Sequence, residues 1–106
     1  MKYPMEKWKW LGMAGHLCIA NKCRFHLHTK VGPYTISTVG AYYPFGNEME
    51  EVAPGREYET FVYKGEVKES VDSGRISLKE DAEGDPYKAD KLAEEMHMEF
   101  CKKYAE

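Results

Sequence analysis

An α+β fold is predicted, an antiparallel β-meander of four or five strands packed on one face by a C-terminal amphipathic helix. Three observations lead there. Apolar and polar residues alternate with period two across residues 16–43, residues 58–63 are β-branched and aromatic, and residues 87–104 run without Gly or Pro, with apolar residues at three- and four-residue spacing. At 106 residues the chain is sized for one hydrophobic core, so residues 1–106 are read as a single domain.

Taken in order, residues 15–19 and 23–31 form a hairpin, with Asn21 between them suited to a left-handed turn position. A three-residue loop pairs Ile19 with Cys23, Leu17 with Phe25 and His16 with His26, which keeps the apolar residues on one face. A two-residue loop would set Cys18 opposite Phe25 and mix the faces. A second turn at Gly32-Pro33 places Val31 opposite Tyr34, Thr29 opposite Ile36 and Leu27 opposite Thr38, and the two registers agree. One face then holds Leu17, Ile19, Cys23, Phe25, Leu27, Val31, Tyr34 and Ile36. The other holds His16, Cys18, Arg24, His26, His28, Lys30, Thr35 and Ser37.

Residues 45–56, rich in Gly, Pro and Glu, read as a loop with room for one helical turn. A fourth strand covers 58–63 and stops at Lys64-Gly65; a short fifth covers 74–78. Asp85 is a natural N-cap with Pro86 at the first helical position, and Lys102 and Lys103 suit the helix C-terminus. The stripe Ala89, Leu92, Ala93, Met96, Phe100 and Tyr104 is expected to lie on the Phe25 and Leu27 face of the sheet.

Composition excludes several classes. Apolar residues at 42% and charged residues at 31% describe a globular chain rather than a disordered one. No stretch is long enough to cross a membrane, and the N-terminus does not read as a secretory leader, so a cytoplasmic location is expected. Three cysteines, an odd number, suit reduced thiols in a reducing compartment. The net charge of −3 is unevenly spread: residues 1–45 carry +5 and residues 46–106 carry −8. Such polarity steers a basic partner to one part of the surface and an anionic partner to another.

Four sets of residues carry candidate chemistry. His16, Cys18, His26 and His28 share the polar sheet face and are ligand types that zinc takes, but they form no Cys-x-x-Cys pair, and side chains projecting in parallel from one sheet converge poorly on a tetrahedral ion. His97 and Cys101 lie four apart on the helix, where an imidazole reaches a thiol, but no third group is evident to orient them. Arg24, His26, His28 and Lys30, near a basic N-terminus bearing Trp8 and Trp10, form a candidate nucleic-acid face; no aromatic pair is expected on that face. Glu48, Glu50 and Glu51 in the loop, with Asp90, Glu94 and Glu95 on the helix, form a candidate acidic surface for a protein partner. The sequence has no phosphate-binding glycine loop, nucleophile elbow or His-Glu-x-x-His helix, and no catalytic residue or cofactor is assigned.

The run Trp10-Leu11-Gly12-Met13-Ala14-Gly15-His16, the block from Cys23 to Tyr34, and Ser37-Thr38-Val39-Gly40-Ala41-Tyr42 resemble a family of small uncharacterised proteins encoded by phages and prophages. Tyr58-Glu59-Thr60-Phe61-Val62 and the closing His97-Met98-Glu99-Phe100-Cys101-Lys102-Lys103-Tyr104-Ala105 resemble later blocks of the same family. The chain lacks that family's longer, Cys-containing insertion after the fourth strand, so no metal role of the insertion carries over. The resemblance implies a mobile-element context and no particular reaction. With the small size, the acidic half and the lack of a catalytic motif, it leads to the expectation of a non-catalytic phage protein binding a host protein in the bacterial cytoplasm. An inhibitor of a CRISPR-type defence nuclease would be one such protein. The alternatives are a small zinc-binding or Cys/His-dependent enzyme and a nucleic-acid-binding domain.

Overall fold

Strand order follows chain order. The computed structural model describes residues 2–11, 23–46, 48–52, 55–65 and 69–106. A 3₁₀ turn at Met5–Lys7 leads into β1 (Lys9–Trp10), followed by β2 (Cys23–Val31), β3 (Tyr34–Tyr42), β4 (Tyr58–Lys64), β5 (Asp72–Ile76), the short helix α1 (Leu78–Ala82) and the long helix α2 (Pro86–Tyr104). The five strands form one antiparallel sheet in the order β1-β2-β3-β4-β5, and α2 packs across it, giving an α+β fold.

The β2–β3 hairpin has the expected register. Gly32 takes a φ of 58° at the first of two turn positions, where the lack of a Cβ removes the steric penalty. Val31 then pairs with Tyr34, Thr29 with Ile36 and Leu27 with Thr38. The loop after β3 contains no helical turn among its described residues; Tyr42 and Glu50 instead meet in an isolated bridge.

The structure departs from the sequence reading at three places in the sheet. The described residues add a strand, β1, whose Lys9 and Trp10 pair with Lys30 and Thr29; the expected strand over 15–19 lies outside the described residues. The fifth strand ends at Ile76 and not at 78, because Ser77 caps α1: its hydroxyl accepts from Glu80 N at 3.2 Å while Asp81 accepts from Ser77 N at 2.6 Å. Cys23 does not share the face of Phe25 but clusters with Val39, Tyr42 and Val52. Ala41, left-handed at φ 53°, interrupts the alternation of β3 opposite the start of β2 and itself turns toward α2.

Helix α2 starts as expected, with Asp85 accepting from Tyr87 N and Pro86 in the first turn. Its buried line, however, is Ala89, Ala93, His97 and Cys101, continued by Ala105; Leu92, Met96, Phe100 and Tyr104 flank it. Small residues at four-residue spacing let the helix axis approach the sheet closely, with the bulky residues spreading to either side. The core is thereby divided. One apolar cluster joins Trp8, Val31, Ile36, Val62, Cys101 and Ala105, and the other joins Ala41, Tyr58, Ala82, Ala89 and Ala93. Between them lie the fully buried polar residues Thr29, Thr38, Thr60 and His97. At the first cluster the N-terminal segment straps the helix end, since Tyr3 N donates to Ala105 O and Trp8 Nε1 donates to Tyr3 O, each at 2.7 Å.

Candidate functional site

The two groups best suited to nucleophilic or acid–base chemistry, His97 and Cys101, sit in the middle of the sheet–helix interface. Neither is exposed. His97 Nε2 lies 2.8 Å from Thr29 Oγ1, His97 Nδ1 lies 2.7 Å from Thr38 Oγ1, and Thr38 Oγ1 lies 2.6 Å from Thr60 Oγ1. Both ring nitrogens are therefore satisfied by hydroxyls, which can donate or accept as the imidazole tautomer requires. Burial, with a smaller contribution from nearby His28, lowers the His97 pKa to about 4, so the ring is neutral at physiological pH. Burial also raises the Cys101 thiol to about 11, against a smaller opposing effect of the Thr29 hydroxyl. The pair thus has the orienting groups that the sequence did not reveal. It has no access for a substrate, and its thiol is protonated.

Cys23 is likewise buried and raised to about 11 by desolvation. In the native protein, Cys23 and Cys101 are expected to resist iodoacetamide at mildly alkaline pH and to label fully in urea, read by peptide mass spectrometry. Fast native labelling of Cys101 would show that the interface opens and would return the pair to consideration as a nucleophile.

Of the candidate zinc ligands, His16 and Cys18 lie outside the described residues. His26 and His28 are half-buried, and His26 Nε2 lies 2.5 Å from the carbonyl of Cys23, to which it donates. Among the described residues no three His, Cys, Asp or Glu side chains converge as a ligand set.

The acidic candidates divide by what they touch. Asp90 is half-buried and accepts the Tyr58 hydroxyl; burial, with that bond as a smaller contribution, pushes the Tyr58 pKa upward. Glu94 and Glu95 are exposed on α2 beside Lys91 and Lys102, so that surface is mixed in sign. Glu51 accepts from Gly55 N at 2.5 Å and fixes its loop. Glu48 and Glu50 are exposed. Glu50 and Glu51 line a cleft of about 360 Å³ with Glu57, Met49 and Leu78. The sequence reading missed Glu57, one of whose carboxylate oxygens, Oε2, is buried without a hydrogen-bond partner.

The basic candidates change membership. Arg24 is occupied, its guanidinium 3.9 Å from the Tyr43 ring centroid and its Nη2 donating to Gly46 O at 3.2 Å. Lys30 is exposed and lines a second cleft, of about 260 Å³, with Lys7, Lys9 and Gly32. Trp8 is a core residue, while Trp10 is exposed at the sheet edge with its ring 6.4 Å from that of His97. The expectation of no aromatic pair on the sheet face away from α2 is wrong. Phe61 and Tyr63 lie two apart on β4 with ring centroids 6.1 Å apart, opposite Ser37 and Thr35 of that face. The long connection between β3 and β4 hides the facing of β4 from any count of alternation that begins in the hairpin.

Comparison of the chain with protein-family models, with curated proteins and with solved structures gives no match. Among the described residues no helix is long and apolar enough to cross a membrane.

Proposed function

We propose that this chain is a non-catalytic binding protein of a phage or related mobile element. Its partner is a host protein with a basic, nucleic-acid-binding surface, such as a CRISPR-type defence nuclease. The observation that carries this reading is the cleft at Glu50, Glu51 and Glu57, where a buried carboxylate oxygen has no hydrogen-bond partner. Three carboxylates around one cleft, with no cation among its described lining residues, present a negative potential that a cationic partner would meet. The apolar members Met49 and Leu78 would receive the aliphatic stem of an arginine or lysine while the carboxylates meet its cationic head. Burial of His97 and Cys101 agrees with a role that needs no chemistry.

The test measures association rates with purified effector nucleases by surface plasmon resonance. Glu48→Lys, Glu50→Lys and Glu57→Gln are combined, and Glu51 is spared because it holds its own loop through Gly55. The variant is expected to associate about tenfold more slowly at low salt, with the difference shrinking toward ~1 M as screening takes over. Unchanged rates with an unchanged melting curve, or no effector bound by the parent, would reject the reading.

A further inference from the structure

On the face of the sheet turned away from α2, one row of directly paired residues crosses four strands: Lys9 of β1, Lys30 of β2, Thr35 of β3 and Tyr63 of β4. Their orientation follows from the neighbouring position, because Thr29 bonds to His97 under the helix and Lys30 therefore points the other way. We infer that this row is a binding platform for single-stranded nucleic acid, with Lys7, Lys9 and Lys30 taking phosphates and the Tyr63 ring stacking on a base. This surface is separate from the acidic cleft.

Several features point to that occupant. Lys9 and Lys30 are cross-strand partners, and like charges placed directly opposite destabilise a sheet. Lys7 joins them around the same cleft. The ion pairs of the described residues are Arg56 with Glu59, Lys88 with Glu83 and Lys103 with Asp72, so among the described residues no carboxylate pairs with these three lysines. An anion between them would relieve the repulsion. A free phosphate would satisfy the lysines but leaves Tyr63 without a role. The row spans three interstrand spacings, ~14 Å in all, which suits an extended anionic strand better than a compact ion. Lysines at one end and a Tyr63–Phe61 aromatic pair at the other combine backbone attraction with base stacking, the arrangement by which sheets hold single strands. Of the basic residues expected from sequence, only Lys30 belongs to the platform.

Fluorescence anisotropy with a labelled oligothymidine of roughly twelve nucleotides tests this at ~50 mM and ~200 mM salt. Three phosphate contacts should give a slope of log affinity against log salt of about −2, and Lys30→Ala should reduce it by about 0.7. Tyr63→Leu, which keeps apolar bulk, should weaken binding about tenfold without altering the slope, and Tyr63→Phe should retain parental binding. Circular dichroism melts check that each variant is folded; if Tyr63→Leu melts early, the comparison of Lys9→Ala and Lys30→Ala with parent still decides the phosphate contacts. Absence of binding by the parent at ~50 mM salt overturns the inference, as does an unchanged slope in both lysine variants. Equal competition by inorganic polyphosphate, with no effect of Tyr63→Leu, also overturns it by showing a site for polyanions in general.

Discussion

His97→Leu is expected to destabilise the protein by about 2–4 kcal/mol at neutral pH, because it leaves the hydroxyls of Thr29 and Thr38 buried without their imidazole partner. Adding Thr29→Val, Thr38→Val and Thr60→Val should recover part of the loss, since replacing all sides of a buried hydrogen-bonded set by apolar groups is far less costly than removing one. The same residue sets a pH dependence. Its folded pKa of about 4 lies below the ordinary value of 6.5, so the unfolded chain binds the proton more readily. The stability that neutral His97 contributes is complete above pH 6.5 and is lost as pH falls toward 4, an effect on the order of 3 kcal/mol. Urea titrations of parent and His97→Leu across that range measure it: the difference between the two should narrow as pH falls. Parallel pH profiles would show that His97 is not the titrating group.

Gly40→Ala is expected to be as damaging, for a purely steric reason. Gly40 pairs with Phe25 on one side and Tyr58 on the other, and those rings meet edge to face at 5.3 Å. A Cβ at Gly40 would lie 2.5 Å from Tyr58 Cγ and 2.9 Å from the Glu57 carbonyl oxygen. Tyr58 cannot readily yield, being fully buried and held through its hydroxyl by Asp90. A loss of about 3 kcal/mol follows, or a fall in melting temperature on the order of 15 °C. Tyr58→Ala alone should also destabilise by ~3–5 kcal/mol, yet the double variant should lose clearly less than the sum, because the added methyl then occupies vacated space. Strict additivity would mean that the clash is relieved elsewhere.

Where turn chemistry and alternation act together, the sequence was sufficient. The Gly32-Pro33 turn and the residues around it gave the hairpin register residue by residue, and Asp85-Pro86 located the start of α2. Strand β1 carries too short a pattern to be read, since two residues cannot alternate. Helix α1 was legible in principle: Ser77 with Glu80 three residues later is a capping-box spacing, overlooked because Ile76 and Leu78 fit a strand equally well. The centre of the α2 interface was obscured for a different reason. Hydrophobic spacing selects bulky residues, whereas close approach of helix to sheet selects small ones, and His97 looks like a surface residue until its threonine partners on two strands, Thr29 and Thr38, are known. At the surface, charge counting found the acidic loop but not Glu57, whose importance depends on an unpaired oxygen. It counted Lys7 and Lys9 into a basic N-terminus near Lys30 but did not place them in one cleft with it, as the unforeseen first strand does.

The agreement between strand order and chain order also bears on how the molecule assembles. Every described strand pairs with the next described strand in sequence, so each ladder closes a shorter loop than a crossover past another strand would require. Helix α2 is the exception, with His97 meeting Thr29 across 68 residues. Successive hairpins can therefore form while the threonine hydroxyls are still hydrated, and the long-range docking of α2 is the event that dries them. In that sequence of events the threonine–histidine layer selects the position of the helix along the sheet: a shift of one turn would exchange His97 for Ala93 or Cys101 and leave buried hydroxyls without their imidazole.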